Sequence, residues 1–122
     1  MKNPGRIAMI LTVALAVALV PAASFGATKT VTARSSAWGP AKVEIVRGTT
    51  LEWVNPSSFL EHSVKAYGGG WRYNAYLGPG GDVSRRFRDL GRFKYRCEIH
   101  STKAAGQPCE GMCGVVKVVR PS

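Results

Sequence analysis

From Phe93 to Glu98 the chain alternates without a break, with Phe93, Tyr95 and Cys97 separated by Lys94, Arg96 and Glu98. A period of two belongs to a β-strand with one buried face, and it fixes the direction of every side chain on that strand. Cys97 therefore points where the two aromatic rings point, towards a core. A thiolate there is desolvated and costly unless a cation binds it. An inert buried thiol, or one half of a disulfide, is the alternative. Three residues further on stands His100.

The same period recurs through most of the chain. Thr28 to Ala33 reads as a first strand and Ser35 to Pro40 as a loop. Val43 to Val46 and Thr50 to Val54 read as two strands joined at Arg47-Gly48, with Val43, Ile45, Leu51 and Trp53 on one face and Glu44 and Glu52 on the other. Asn55 to Ser58 interrupts the pattern. From His62 the alternation resumes, so His62 shares an inward phase with Val64 and Ala66. Gly68 to Gly70 and Gly78 to Gly81 bracket a loop-rich region with Trp71, Tyr73 and Tyr76. Val83 to Phe87, Arg92 to Cys97 and Gly114 to Val119 supply further strands. No helical period lasts beyond a turn or two, and there is no internal repeat. An all-β antiparallel Greek-key sandwich is the expected architecture, as one domain within a chain of 122 residues.

The chain has two histidines, His62 and His100, and three methionines, Met1, Met9 and Met112. Gly111-Met112-Cys113-Gly114 brings a thioether to the sequence just after the Cys97-x-x-His100 pair. Taken singly, His62 could be a hydrogen-bonded core histidine. Taken together, the inward cysteine, both histidines and Met112 match a soft, trigonal site of two imidazoles and a thiolate with a weak axial thioether, which suits copper. Zinc on Cys97, His100, Cys109 and Cys113 is the rival, and it leaves His62 and Met112 without a role.

On these residues Val43 to Val119 resembles a small cupredoxin of the plastocyanin and azurin family. The resemblance is carried by Leu51 to Asn55 leading to His62, by Cys97-x-x-His100, and by Gly111-Met112-x-Gly114 running into a valine-rich strand. It implies one type 1 copper ion held by Cys97, His62 and His100, with Met112 as a long axial contact. It also implies that Asn55 links the His62 loop to the region of the Cys97 sulfur, and that the edge of His100 is the electron port. The interval from His100 to Met112 is longer than in compact family members and carries Cys109. If Cys97 holds copper, Cys109 and Cys113 remain to pair as a small ring; pairing of Cys97 with either would destroy the site.

The first 26 residues read as an export signal: Lys2 and Arg6, an apolar run from Ile7 to Val20, Pro21, then small residues with cleavage after Ser24, Gly26 or Ala27. An uncleaved anchor is the alternative, although the run is short of the roughly 20 residues that span a bilayer. Residues 27–122 would then be the mature domain in a periplasmic, extracellular or cell-surface setting. The whole chain has 17 Lys+Arg against 7 Asp+Glu; without Lys2 and Arg6 the balance is 15 against 7, or +8. Such a charge favours an acidic redox partner or an anionic membrane surface. Nucleic acid and a small-molecule substrate are not expected, and a monomer is. Arg85-Arg86-x-Arg88 reads as a solvated strand face. The expected function is one-electron transfer without catalysis, with copper storage, delivery or sensing as the second reading.

Overall fold

The computed structural model describes residues 12–14 and 26–122, so the expected signal segment lies almost wholly outside the described residues. Among them no helix is long and apolar enough to cross a membrane. The described chain is all β: β1 (Thr28–Ala33), β2 (Trp38–Gly39), β3 (Lys42–Val46), β4 (Thr50–Val54), β5 (His62–Tyr67), β6 (Asn74–Leu77), β7 (Asp82–Arg86), β8 (Gly91–Thr102) and β9 (Glu110–Val119). They form two facing sheets, in the orders β2-β1-β4-β7 and β3-β9-β8-β5-β6.

The alternation explains the layers. Val31, Leu51 and Trp53 from one sheet meet Val64, Tyr95 and Val116 from the other, all without exposed surface. Intervening residues such as Glu44, Lys94 and Lys117 lie on solvent. At roughly 1.5–3 kcal/mol per large apolar side chain removed from water, this interlayer is the main favourable term in folding.

Most neighbours are antiparallel, but β1 pairs with β4 and β3 with β9 in parallel. The reason lies at Arg47-Gly48. There the chain crosses from one sheet to the other instead of folding back beside itself, so β3 and β4 face one another across the core. Gly48 takes φ +95°, and the Arg47 and Gly48 amides bond to Val119 and Phe87 carbonyls, one on each side of the sandwich. A short link between two strands does not require them to pair.

Three further features depart from expectation. Trp38, in the expected loop, is buried on β2 and pairs beside Ala33. Asn74–Leu77 is a strand laid along β5. The long interval after His100 has a two-stranded base, because β8 and β9 continue to pair at Ser101↔Gly111 and Thr102↔Glu110, and only residues 103–109 form the loop beyond it.

Candidate metal centre

A regular strand cannot turn both Cys97 and His100 inwards, because side chains three apart lie on opposite faces. The ladder between β8 and β9 slips between Arg96 and Ser101. This irregularity lets His100 swing back towards the Cys97 side. Ser101 holds it there: its hydroxyl donates to the Cys97 carbonyl and accepts from Arg96 Nη1 at 3.1 Å. Sequence reading overlooked Ser101, although the odd spacing of Cys97 and His100 was itself a sign that the strand must slip.

His62 opens β5, opposite Leu77. Asn55, buried where β4 ends, sets the path that leads to it. Its side-chain amide donates to the carbonyls of Leu60, Leu77 and Gly78 at 2.8, 3.1 and 3.0 Å, and its oxygen accepts from the Ser57 amide at 3.1 Å. Asn55 therefore fixes the 55–61 loop but does not reach the Cys97 sulfur as expected. The amide of Ser63 does that, donating to Cys97 Sγ at 3.4 Å.

The three donors converge. Cys97 Sγ lies 3.7 Å from His62 Nδ1 and 3.5 Å from His100 Nδ1, and the three ligand atoms all fall within 4.8 Å of one another. Metal bonds of about 2.3 Å to sulfur and about 2.0 Å to nitrogen, opened to a trigonal angle, separate S and N by about 3.7 Å. The donors thus stand at the spacing that one bound ion requires. Cys97 is a free thiol and, like His62, has no exposed surface, while His100 is half-buried.

The chemistry of the donors points the same way. Burial pushes the His62 pKa down, and the nearby His100 adds to this, so the imidazole is neutral, the form that binds metal. Its Nε2 is buried without a hydrogen-bond partner. A neutral imidazole Nδ1 facing a buried thiol and a second imidazole leaves donor lone pairs converging without a partner, and a cation among these three groups offsets that cost.

Met112 is fully buried on β9 with the inward phase of Gly114 and Val116. Two contacts place its backbone. Trp38 Nε1 donates to the Met112 carbonyl at 3.1 Å. Gly111 has φ +94° and lies so close to the His100 carbonyl that a β-carbon would collide with it. Cys109 and Cys113 form a disulfide, with Cα atoms 6.2 Å apart, so Cys97 is left free and the three-cysteine zinc arrangement is not available. On the outer side a shallow cleft lined by Ile99, His100 and Gly111 brings the His100 ring to the surface.

No family model and no curated protein matches the sequence. Solved structures do match. A purple cupredoxin from Nitrosopumilus maritimus is 21% identical, with TM-score 0.57 over 74% of this chain and 98% of its own. An oxidized point variant of amicyanin is 18% identical, with TM-score 0.60 over 74% of this chain and 80% of its own. A copper-containing nitrite reductase from Thermus scotoductus is 27% identical, with TM-score 0.61 over 76% of this chain, but the match spans only 22% of the reductase. This chain is a β-sandwich of the cupredoxin fold, with His62, Cys97 and His100 grouped at one centre.

Proposed function

We propose that this protein is an exported one-electron carrier in which Cys97, His62 and His100 hold a copper ion, with Met112 as the axial contact. The carrying observation is the convergence of the three donor atoms within 4.8 Å of one another. Copper bound there supplies a single-electron couple, Cu(II)/Cu(I). The chain supplies a fixed frame: strands β5, β8 and β9 hold the donors, so either oxidation state meets the same ligands. The buried face of the site excludes water. The Ser63 amide stabilises negative charge on the thiolate through its hydrogen bond to sulfur. His100 is the one donor with an exposed edge, beside the exposed Ile99, and is the natural point of electron exchange.

Catalysis is not part of this reading, because the donors close the site and leave no position for a substrate. The disulfide supports an oxidising compartment and hence export. The basic surface supports an acidic redox partner. The test is a redox cycle: one electron per protein should bleach and restore the visible band of the copper form, and copper should stay bound throughout. Transfer of the metal to a chelating acceptor faster than electron exchange would support delivery or storage instead.

A further inference from the structure

Arg85, expected on a solvated face, is folded inwards. It shares the phase of Val83 on β7, an edge strand of its sheet, and of Phe87 just beyond that strand. Its guanidinium lies 5.4 Å from the centre of the Trp71 ring and 5.6 Å from that of Tyr73, within cation–π range. Nη1 donates to the Arg72 carbonyl at 2.9 Å, one use of five N–H donors. Arg86 and Arg88 flank it, exposed, around a cleft of about 400 Å³ that Trp71, Phe87 and Phe93 also line. The ion pairs among the described residues are Lys65–Glu98 and Lys117–Glu44. Arg72, Arg85, Arg86 and Arg88 thus have no carboxylate partner, although Asp89 borders the same cleft.

From that cleft a continuous series of rings leads inwards. Trp71 stacks on Tyr73 at 5.9 Å, Tyr73 on Trp53 at 5.6 Å, and Trp53 meets Tyr95 edge-on at 5.3 Å. Tyr95 stands two residues before Cys97 on β8. Electrons tunnel more readily through close-packed matter than across gaps; this path runs by ring contacts as far as Tyr95 and from there along the covalent backbone of β8 to Cys97.

We propose that the basic aromatic cleft is a second electron port. An acidic redox protein sets its carboxylates against Arg85 and Arg88, and one electron tunnels along Trp71, Tyr73, Trp53 and Tyr95 to the centre at Cys97. The inference rests on the copper-carrier reading. The partner's reduced centre loses one electron, Cu(II) becomes Cu(I), no bond forms or breaks, and no ring is itself oxidised. An acidic protein fits better than a small anion because three guanidinium groups, those of Arg85, Arg86 and Arg88, are spread around an aromatic floor.

Two measurements test it on the copper-loaded protein. In the Cu(I) form, titration with a decaglutamate peptide should shift the Trp71 indole N–H resonance. Reduced plant-type ferredoxin, as an acidic electron donor, should reduce the Cu(II) form roughly tenfold more slowly in the Arg85→Gln, Arg88→Gln double variant at low salt. The Arg88→Gln single variant, at an exposed position, should show part of that loss with an unchanged visible spectrum. Tyr73→Leu should lower the limiting rate within the complex while leaving peptide binding in place. Shifts confined to Ile99–Thr102, or equal rates in wild type and the arginine variants, would overturn the port. Peptide binding at Trp71 with rates indifferent to Tyr73 would leave a docking surface only and overturn the electron path. Colourless Cu(II) protein would instead overturn the carrier reading, and the peptide titration stands apart from that result.

Discussion

The two segments that bring imidazoles to the site are held in opposite ways. The 55–61 loop, which delivers His62, gathers its buried side-chain bonds on one residue, Asn55, which reaches three carbonyls and one amide, while Ser57 Oγ accepts from the Phe59 and Leu60 amides nearer solvent. The 97–113 ribbon, which delivers His100 and Met112, is held several times over, by the β8–β9 ladder, the Ser101 hydrogen bonds, the Trp38 bond to Met112 and the Cys109–Cys113 disulfide. Spreading the ties makes a segment tolerant of single changes, and concentrating the buried ones on one residue makes that residue decisive. The longer segment, by its length the one expected to be loose, is the better secured.

Asn55→Ala should therefore have the largest effect. It strips donors from carbonyls that are wholly or partly buried, at a cost of roughly 2–4 kcal/mol. Urea unfolding of the copper-loaded variant should show the loss, with weaker copper binding as His62 drifts. An effect within 0.5 kcal/mol of zero, roughly the level of an innocuous surface change, would remove the contrast between the segments.

Gly111→Ala should come next, because it strikes the ribbon at its one point without slack. A left-handed backbone and a collision with the His100 carbonyl together should cost roughly 1–3 kcal/mol and shift the visible spectrum by displacing His100.

Replacing Cys109 and Cys113 together by serine should cost roughly 2 kcal/mol of stability, as expected for so short a ring. The thiolate band should survive with only a small change in reduction potential, since the ladder still holds Met112. Collapse of the band would show that the disulfide alone orders the ribbon.

Acid is the gentlest probe. The folded-state pKa of His62 lies below its ordinary 6.5, first through burial. Between the two values the unfolded chain binds a proton that the folded chain does not. Stability of the metal-free protein should accordingly hold above about pH 6.5 and decline as pH falls below it. His62→Phe should flatten that slope in urea titrations, and an unchanged slope would place the sensitivity elsewhere.

Much of this was legible in the residues. The inward phases of Cys97, His62, Leu51 and Trp53 come directly from a period of two, and all four are buried. The strand partners were less legible, because alternation names the buried face but not the neighbour. Hence the parallel β1–β4 and β3–β9 pairs came from the structure. Ser63, Ser101 and Arg85 were missed for a related reason. Each acts through a contact across the fold or a local slip of the ladder, and composition reads serine as turn and arginine as surface. Asn55 was expected to link the His62 loop to the region of the Cys97 sulfur; it orders that loop through carbonyls, and the bond to the sulfur comes from the Ser63 amide.

The central claim is that Cys97, bonded through sulfur, holds copper between His62 and His100. The most direct test is the visible absorption spectrum of the Cu(II) protein beside that of Cys97→Ser. The wild type should show the intense thiolate-to-copper band of a type 1 site, and the variant should lose it while His62 and His100 remain. A wild-type protein that binds Cu(II) and stays colourless, or a band that survives in Cys97→Ser, would contradict the assignment.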